Sequence, residues 1–185
     1  AWNTGERPVL FKGTPLKSVN QYYNKQMAKR RSICERMNGC HSSKRIARLT
    51  VKRNRKVEDY LHKASRKVID LCAGQDVSVM VIGKNKGWKQ EANLGRKVNQ
   101  SFVQLPFARF IQMLQYKAES IGMKVVLTEE SYTSGTSFLD GEAPVKACYD
   151  KSRRVHRGLF LANDGRRINA DVNGAYQIMR KVFPN

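Results

Sequence analysis

Acidic side chains are scarce in this sequence, and three of them stand where they could do chemistry. The chain has 15 Asp and Glu residues against 35 Lys and Arg. Glu129 and Glu130 end an apolar, β-branched run, and Asp171 opens an amphipathic segment near the end of the chain. Carboxylates at a strand end and a helix start, in a strongly basic protein, are typical of sites where two divalent cations cleave phosphodiesters. The sequence thus predicts a metal site among Glu129, Glu130 and Asp171.

Each of these acids also has a simpler explanation. An Asp at the start of a helix most often serves as its N-cap, and two Glu residues at a strand end are most often solvated. Neighbouring residues of a strand point to opposite faces, so Glu129 and Glu130 cannot both enter one pocket. The residues alone leave open which of the two would do so.

The net charge of +20 on 185 residues predicts a polyanionic partner, most simply nucleic acid. An anionic membrane surface fits less well, because the basic segments lack an aromatic-rich amphipathic face. Residues 15–74 carry 16 Lys and Arg but only 4 acids. This imbalance favours a phosphate-facing helical hairpin over a merely solvated helix surface.

Apolar periodicity predicts the elements that must position these side chains. Two helices are expected, from Pro15 to Asn38–Gly39 and over about 44–73. A hairpin remnant is expected over 1–13, with a short strand at 9–11. Strands are expected at 77–83 and 124–130, and a helix from Pro106 to Gly122 lies between them. The chain then continues with a hairpin at 158–170 and a final helix that Asn169 or Asp171 caps. The order strand, helix, strand predicts parallel strands.

Basic and aromatic side chains outside the acidic site are candidates for contacts with nucleic acid. A polar loop over 84–102 combines a Trp with several Lys residues, which suits base stacking and phosphate binding; the alternative is a Trp that packs under its own loop. The predicted contacts are Lys84, Lys86, Trp88 and Lys89 in this loop, Arg153, Arg154 and Arg157 before the last hairpin, and Lys52, Arg53 and Arg55 on the second helix.

The four cysteines predict neither a disulfide framework nor a zinc site. Cys34, Cys40, Cys72 and Cys148 form no C-x-x-C pair, which favours reduced thiols in a cytosolic protein. No apolar run is long enough for a membrane span, and residues 1–8 do not have the pattern of a signal peptide.

Several stretches resemble the C-terminal part of transposon-encoded TnpB proteins. They are GKNKGWKQEANLGRKVNQSFVQLPF, VVLTEESYTSGTSFLD and RINADVNGAYQIMRKVF, and the resemblance extends over most of the chain. It implies an RNA-guided DNA endonuclease that uses Mg²⁺ or Mn²⁺, with DNA and a guide RNA as partners. The implied fold is α/β, an RNase H-like (RuvC-like) mixed sheet, with the basic helical hairpin at about 15–74 as an insertion. Asp171 matches the last catalytic Asp of the family's D-x-N-A motif, with Gly174 in place of Ala.

Three departures from the family pattern shape the expectations. Gly83 stands where the middle catalytic Glu usually ends a strand, but some relatives place this Glu three residues before the Thr of the TS motif, which selects Glu130. The first catalytic Asp is expected upstream of Ala1, so the chain is expected to be a fragment that is inactive alone. Only Cys148 lies where relatives carry a four-Cys zinc ribbon, so no zinc is expected. The alternatives are a nuclease-inactive RNA-guided DNA-binding protein and a basic RNA-binding protein.

Overall fold

The structure, a computed structural model, describes residues 1–2, 5, 7–85, 106–156 and 158–184. The helices are α1 (Thr14–Asn38), α2 (Lys44–Ala73), α3 (Phe107–Glu119) and α4 (Ala170–Val182), and the strands are β1 (Val79–Gly83), β2 (Lys124–Thr128), β3 (Leu159–Leu161) and β4 (Arg167–Asn169). These residues divide into two compact units. The helical unit lies within 11–77 and 92–121, and the mixed unit lies within 1–10, 78–91 and 122–185.

The helical unit has an apolar core where α1, α2 and α3 meet. Leu16, Val57, Leu61 and Met113 are buried together, and Met113 is fully inaccessible. The predicted bounds of α1 and α2 agree with the structure because the chain carries clear end signals. Ser43 caps α2 by accepting a hydrogen bond from the Ile46 backbone N–H. Gly39 ends α1 in the left-handed conformation, with φ at +60°.

The mixed unit contains the two strands that were expected to be parallel, and they are. β1 and β2 pair in register from Val79–Lys124 to Gly83–Thr128. β3 and β4 form the predicted antiparallel hairpin. α4 contacts all four strands. In the described part of the chain these strands form two separate ladders of two strands each, so one continuous mixed sheet is not seen there.

Two local predictions were wrong. Val9, Leu10 and Phe11 are between 41% and 52% exposed and form no strand. A short apolar run becomes a strand only when another strand pairs with it, and none of the described strands does.

The buried face of α4 also differs from the prediction. The apolar periodicity of this helix predicts that Ala175, Ile178, Met179 and Val182 face inward, yet each is only partly buried. The buried residues are instead Ala170, Val172, Asn173 and Gln177. Hydrophobic periodicity missed this face because its centre is polar and is covered by the loop after β2 through side-chain hydrogen bonds. No helix in the described ranges is long and apolar enough to cross a membrane.

Candidate functional site

Glu130 follows the carboxyl end of β2, and hydrogen bonds on both sides hold its backbone. Its N–H donates to Oδ1 of Asn85, two residues after β1, at 2.8 Å. Its carbonyl accepts from the Thr133 backbone N–H at 3.2 Å and from the Thr133 hydroxyl at 2.8 Å. The Thr of the TS motif therefore fixes Glu130 in place, and this gives the motif a physical role.

The carboxyl group of Glu130 lies against the last residue of β1. A Cβ atom added to Gly83 would lie 2.5 Å from Cγ and 2.6 Å from Oε1 of Glu130, and 2.8 Å from Cδ1 of Ile178. Burial raises the pKa of the Glu130 carboxyl above its ordinary value. Glu130 thus fills the space that a side chain at position 83 would otherwise take.

Glu129, which also follows the end of β2, has a different environment. Its side chain is 70% exposed and lies 3.0 Å from Nζ of Lys181. Hydrogen bonds from Ser131 and Lys181 lower the pKa of its carboxyl. The predicted pair is therefore split: Glu130 lies against β1, and Glu129 is paired with a lysine.

Asp171 does not cap α4. Oδ1 of Asn169 accepts hydrogen bonds from the backbone N–H groups of Asp171 at 2.9 Å and Val172 at 3.3 Å. Between the two caps that the sequence left open, the structure selects Asn169. The Asp171 carboxylate is 73% exposed, with Nη2 of Arg154 at 3.8 Å from Oδ1. N-capping, which was the simpler explanation for an Asp at this position, therefore does not account for Asp171.

Ile178 of α4 is the residue through which the positions of Glu130 and Asp171 can be compared. Ile178, which shares the Gly83 contact with Glu130, comes seven residues after Asp171. Seven residues make two helical turns, so Asp171 and Ile178 share a face about 10 Å apart along the axis. Within the described ranges, no three His, Cys, Asp or Glu side chains converge on one point. The two carboxylates could thus supply only part of a metal site.

The predicted nucleic-acid contacts fall into three groups. Lys52, Arg55, Lys84 and Arg154 are exposed, and their contact with nucleic acid stays a prediction. Lys86, Trp88, Lys89 and Arg157 lie outside the described residues. Arg53 and Arg153 are turned into the protein.

Arg53 bridges α1 and α2. Its Nε donates to Oδ1 of Asn20 at 2.8 Å, and its guanidinium lies 5.6 Å from the centre of the Tyr23 ring. Burial lowers the pKa of Arg53. This placement conflicts with the predicted phosphate contact, because the guanidinium is held between the helices.

Arg153 is held in an ion-pair cluster that we call the Glu142–Arg153 cluster, formed by Asp140, Glu142, Asp150 and Arg153. Nη1 of Arg153 donates to both carboxylate oxygens of Glu142, at 2.7 and 2.8 Å. The side chains of Asp140, Glu142 and Arg153 are 12%, 16% and 18% exposed. The predicted contact of Arg153 with DNA is therefore corrected: its charge is satisfied inside the mixed unit.

Sequence reasoning missed three residues that organise the site. Asn173, fully buried, accepts a hydrogen bond from Phe138 N–H and donates one to the Thr136 carbonyl, which ties α4 to the loop after β2. Its position inside the ADVNGA motif was an available signal. Asn85 and Glu142 carry no signal in a single sequence, because their partners are 45 and 11 residues away.

Comparisons with known proteins give this chain relatives of two related kinds. The family described as "Probable transposase" (OrfB_IS605) matches residues 1–89, and the family "Cas12f1-like, TNB domain" matches residues 107–178. The CRISPR-associated endodeoxyribonuclease Cas12f2 of Micrarchaeota archaeon is 23% identical over 189 residues. These matches support the resemblance to the TnpB-like family. The resemblance found in the sequence is thereby confirmed.

Solved structures point to the same group of relatives. This chain aligns with a Cas12f1–sgRNA–target DNA complex at a TM-score of 0.64 and 20% identity, over 95% of its own length and 44% of that chain. A CRISPR–Cas12f ternary complex matches at 0.61 and 19% identity, over 85% and 32%. This chain covers 33% of the length of the Cas12f2 relative. It thus shares a fold with part of these longer proteins.

Proposed function

We propose that the protein containing this chain is an RNA-guided DNA endonuclease with a RuvC-like active site, in which Glu130 and Asp171 are catalytic. The observation that carries the proposal is the position of the Glu130 carboxyl group in the space above Gly83. The usual middle Glu of the family would begin at this strand end. The chain keeps a carboxylate there although its strand ends in glycine.

The donor set suits a hard cation. Mg²⁺ and Mn²⁺ prefer carboxylate oxygens, which Glu130 and Asp171 both offer. When bound, such ions lower the pKa of an attacking water and stabilise the leaving oxygen. Because the described residues bring no third ligand together, a further carboxylate would have to come from elsewhere in the protein.

The remaining roles fall to this chain's own side chains. Thr133 and Asn85 hold the backbone of Glu130 at the end of β1. Arg154, beside the exposed Asp171, is suited to hold a phosphate of the bound strand next to that carboxylate. The RNase H-like sheet, the role of residues 15–74 as an insertion, and DNA and guide RNA as partners belong to the same proposal. The two solved relatives are named as complexes with sgRNA and target DNA or as a ternary complex.

Guided plasmid cleavage by the complete protein tests the proposal. Glu130→Gln and Asp171→Asn are each expected to slow cleavage by at least about 100-fold, as expected for loss of a group acting in the chemical step. Guided binding of the target should persist in both variants, which separates chemistry from folding. Glu129→Gln is the matched control, because its carboxylate is paired with Lys181 and should be dispensable. Normal cutting by either of the first two variants would remove that residue from the mechanism.

A second candidate function is guided DNA binding without cleavage. Gly83 and the lack of three converging ligands in the described ranges both favour it. It predicts that the unaltered protein binds a guided target but leaves it intact in Mg²⁺ and in Mn²⁺. Calorimetric titration with Mn²⁺ separates the two functions, because a binder without a working site should give no signal that depends on Glu130 or Asp171. A basic RNA-binding protein would give neither guided binding nor that signal.

A further inference from the structure

A cavity lies beside the segment that carries Glu129. Its volume is about 800 Å³, within the usual range of ligand pockets. Its walls come from the end of β2, the loop after it and the last turns of α4, all in the mixed unit. The lining includes Glu129, Tyr132, Val145, Lys146, Arg180 and Lys181. Glu130 is not among the lining residues, so the cavity is separate from the proposed catalytic site.

Tyr132, in the wall of this cavity, has a strained backbone. Its φ is +64°, the left-handed region that a bulky residue rarely adopts. Hydrogen bonds hold the turn in this state, since the Thr136 hydroxyl donates to the Tyr132 carbonyl at 2.8 Å. Glycine or asparagine would relieve the strain at this position. A tyrosine with this strained backbone suggests that its ring has a function.

Tyr132 is exposed, and its ring packs against a second tyrosine. It is 39% exposed, and it packs against Tyr149 in a T-shaped pair with centroids 5.8 Å apart. Tyr149 in turn depends on Gly135, where a Cβ would approach its ring to 2.6 Å. The Tyr132 ring is therefore an aromatic surface held in one orientation and open to solvent.

The charge of the cavity favours an anion. Lys146, Arg180 and Lys181 are cationic and Glu129 is anionic, so three positive charges and one negative leave a net charge of +2. Lys181 pairs with Glu129, and Arg180 donates to the Glu142 carbonyl at 3.0 Å. Lys146 is exposed at the rim. An open aromatic ring beside cations suits a base and its phosphate, because stacking and phosphate attraction are how single strands are bound.

We propose that this cavity binds one unpaired nucleotide of a single-stranded nucleic acid. The base stacks on Tyr132, and a neighbouring phosphate contacts Lys146 in the field of Arg180 and Lys181. The inference relies on the proposed function only in taking nucleic acid as the ligand. Duplex DNA offers no unpaired base to stack, so the site discriminates single strands from duplex.

The test measures binding of labelled oligonucleotides to the complete protein in EDTA, where no cleavage interferes. The probes are oligo(dT), oligo(rU) and a duplex of equal charge. Tyr132→Asn should weaken single-strand binding about tenfold, equivalent to 1.4 kcal/mol and within the range for one stacked base. Duplex binding should not change. Loss with only one of the two single strands would support the site and identify its strand.

Two control variants and one stability measurement separate loss of the Tyr132 ring from other effects of the substitution. Tyr132→Phe should bind like the parent, because it keeps the ring. Tyr116→Gln, a change at another exposed tyrosine outside the cavity, should also bind normally. The melting temperature of Tyr132→Asn should stay equal or rise, because Asn tolerates a left-handed backbone.

Two results would overturn the proposal: unchanged single-strand affinity in Tyr132→Asn, or an equal loss for single strands and duplex. Cleavage by Glu130→Gln is measured separately. If Tyr132→Asn binds normally while Glu130→Gln fails to cut, this inference fails and the proposed function stands. If Glu130→Gln cuts and Tyr132→Asn loses single-strand binding, the reverse holds.

Discussion

Gly83 and Glu130 share one small volume at the end of β1. The contact is close enough that even a methyl group at position 83 would meet the Glu130 side chain. The absence of a side chain at position 83 therefore lets the Glu130 carboxyl group occupy this space.

Gly83→Ala should displace the Glu130 carboxyl group. Forcing a methyl group into a filled space costs about 1–3 kcal/mol of stability, and guided cleavage should fall with it. Gly174→Ala is the matched control, since an added Cβ on this helical glycine would meet nothing within 4 Å. The control should gain about 0.5–1 kcal/mol from helix propensity and keep its activity. Unchanged unfolding and cleavage in Gly83→Ala would mean that the carboxyl group lies elsewhere.

The two neighbouring glutamates should affect stability in opposite directions as pH changes. Burial raises the pKa of Glu130, so its charge becomes a cost to the fold as pH rises through the folded-state pKa. Metal-free Glu130→Gln should match the parent near pH 4 and be more stable at pH 7. Hydrogen bonds from Ser131 and Lys181 lower the pKa of Glu129, so its stabilisation is present above its unfolded pKa and is lost as pH falls.

Glu129→Gln should therefore be less stable than the parent at pH 7, and the difference should vanish in acid. Denaturant titrations of both variants between about pH 4 and pH 7 in EDTA measure this. EDTA matters because a bound cation would favour the charged carboxylate. Parallel behaviour of the two variants would contradict the opposite environments of the two side chains.

At the scale of elements, the loop after β2 is organised by the Glu142–Arg153 cluster. The Glu142 carbonyl also accepts hydrogen bonds from Gln177 and Arg180 on α4. A polar network therefore joins the loop and the helix beside the stacked rings of Phe138 and Tyr176. Because Asn173 and Gln177 are at the centre of this face, hydrophobic periodicity did not predict it.

Arg153→Met should destabilise the protein by about 3 kcal/mol, because it leaves a mostly buried Glu142 without its cation. Arg154→Met, one residue further, changes an exposed arginine and should alter stability by no more than about 0.5 kcal/mol. Denaturant unfolding of the two variants makes the comparison. Equal effects would show that the cluster does not hold the loop.

Local signals let the sequence predict most elements but few of their contacts. Helices α1 and α2 were predictable because Gly39 and the Ser43 cap lie next to the segments that they end. Glu130 was selected by a short motif within three residues of it. By contrast, Arg53 and Arg153 look like other basic residues in sequence, and only distant partners turn them inward. The failed strand at 9–11 shows the same limit, since a strand depends on a partner that its own residues do not specify.

For the whole molecule, the net charge of +20 should make nucleic-acid binding strongly dependent on salt. Contact with about eight phosphates would give a slope of log affinity against log salt of roughly −7. Lys52→Ala and Arg55→Ala should each reduce that slope by about 0.9, the value for one phosphate. Arg53→Ala is the informative control within the same helix turn. It should leave the slope unchanged and lower stability instead, because its guanidinium joins two helices. Salt titrations of binding by the complete protein measure all three.

Arg153 and Arg154 are adjacent in the chain, yet one points into the loop network and the other towards Asp171. The inward arginine anchors the shared backbone, so it limits how far the outward arginine can drift from the acid. If the loop lost its contacts with the rest of the mixed unit, Arg154 would move with it and lose its contact with Asp171. The buried ion pairs of Arg153 thereby limit the positions that the exposed Arg154 side chain can adopt.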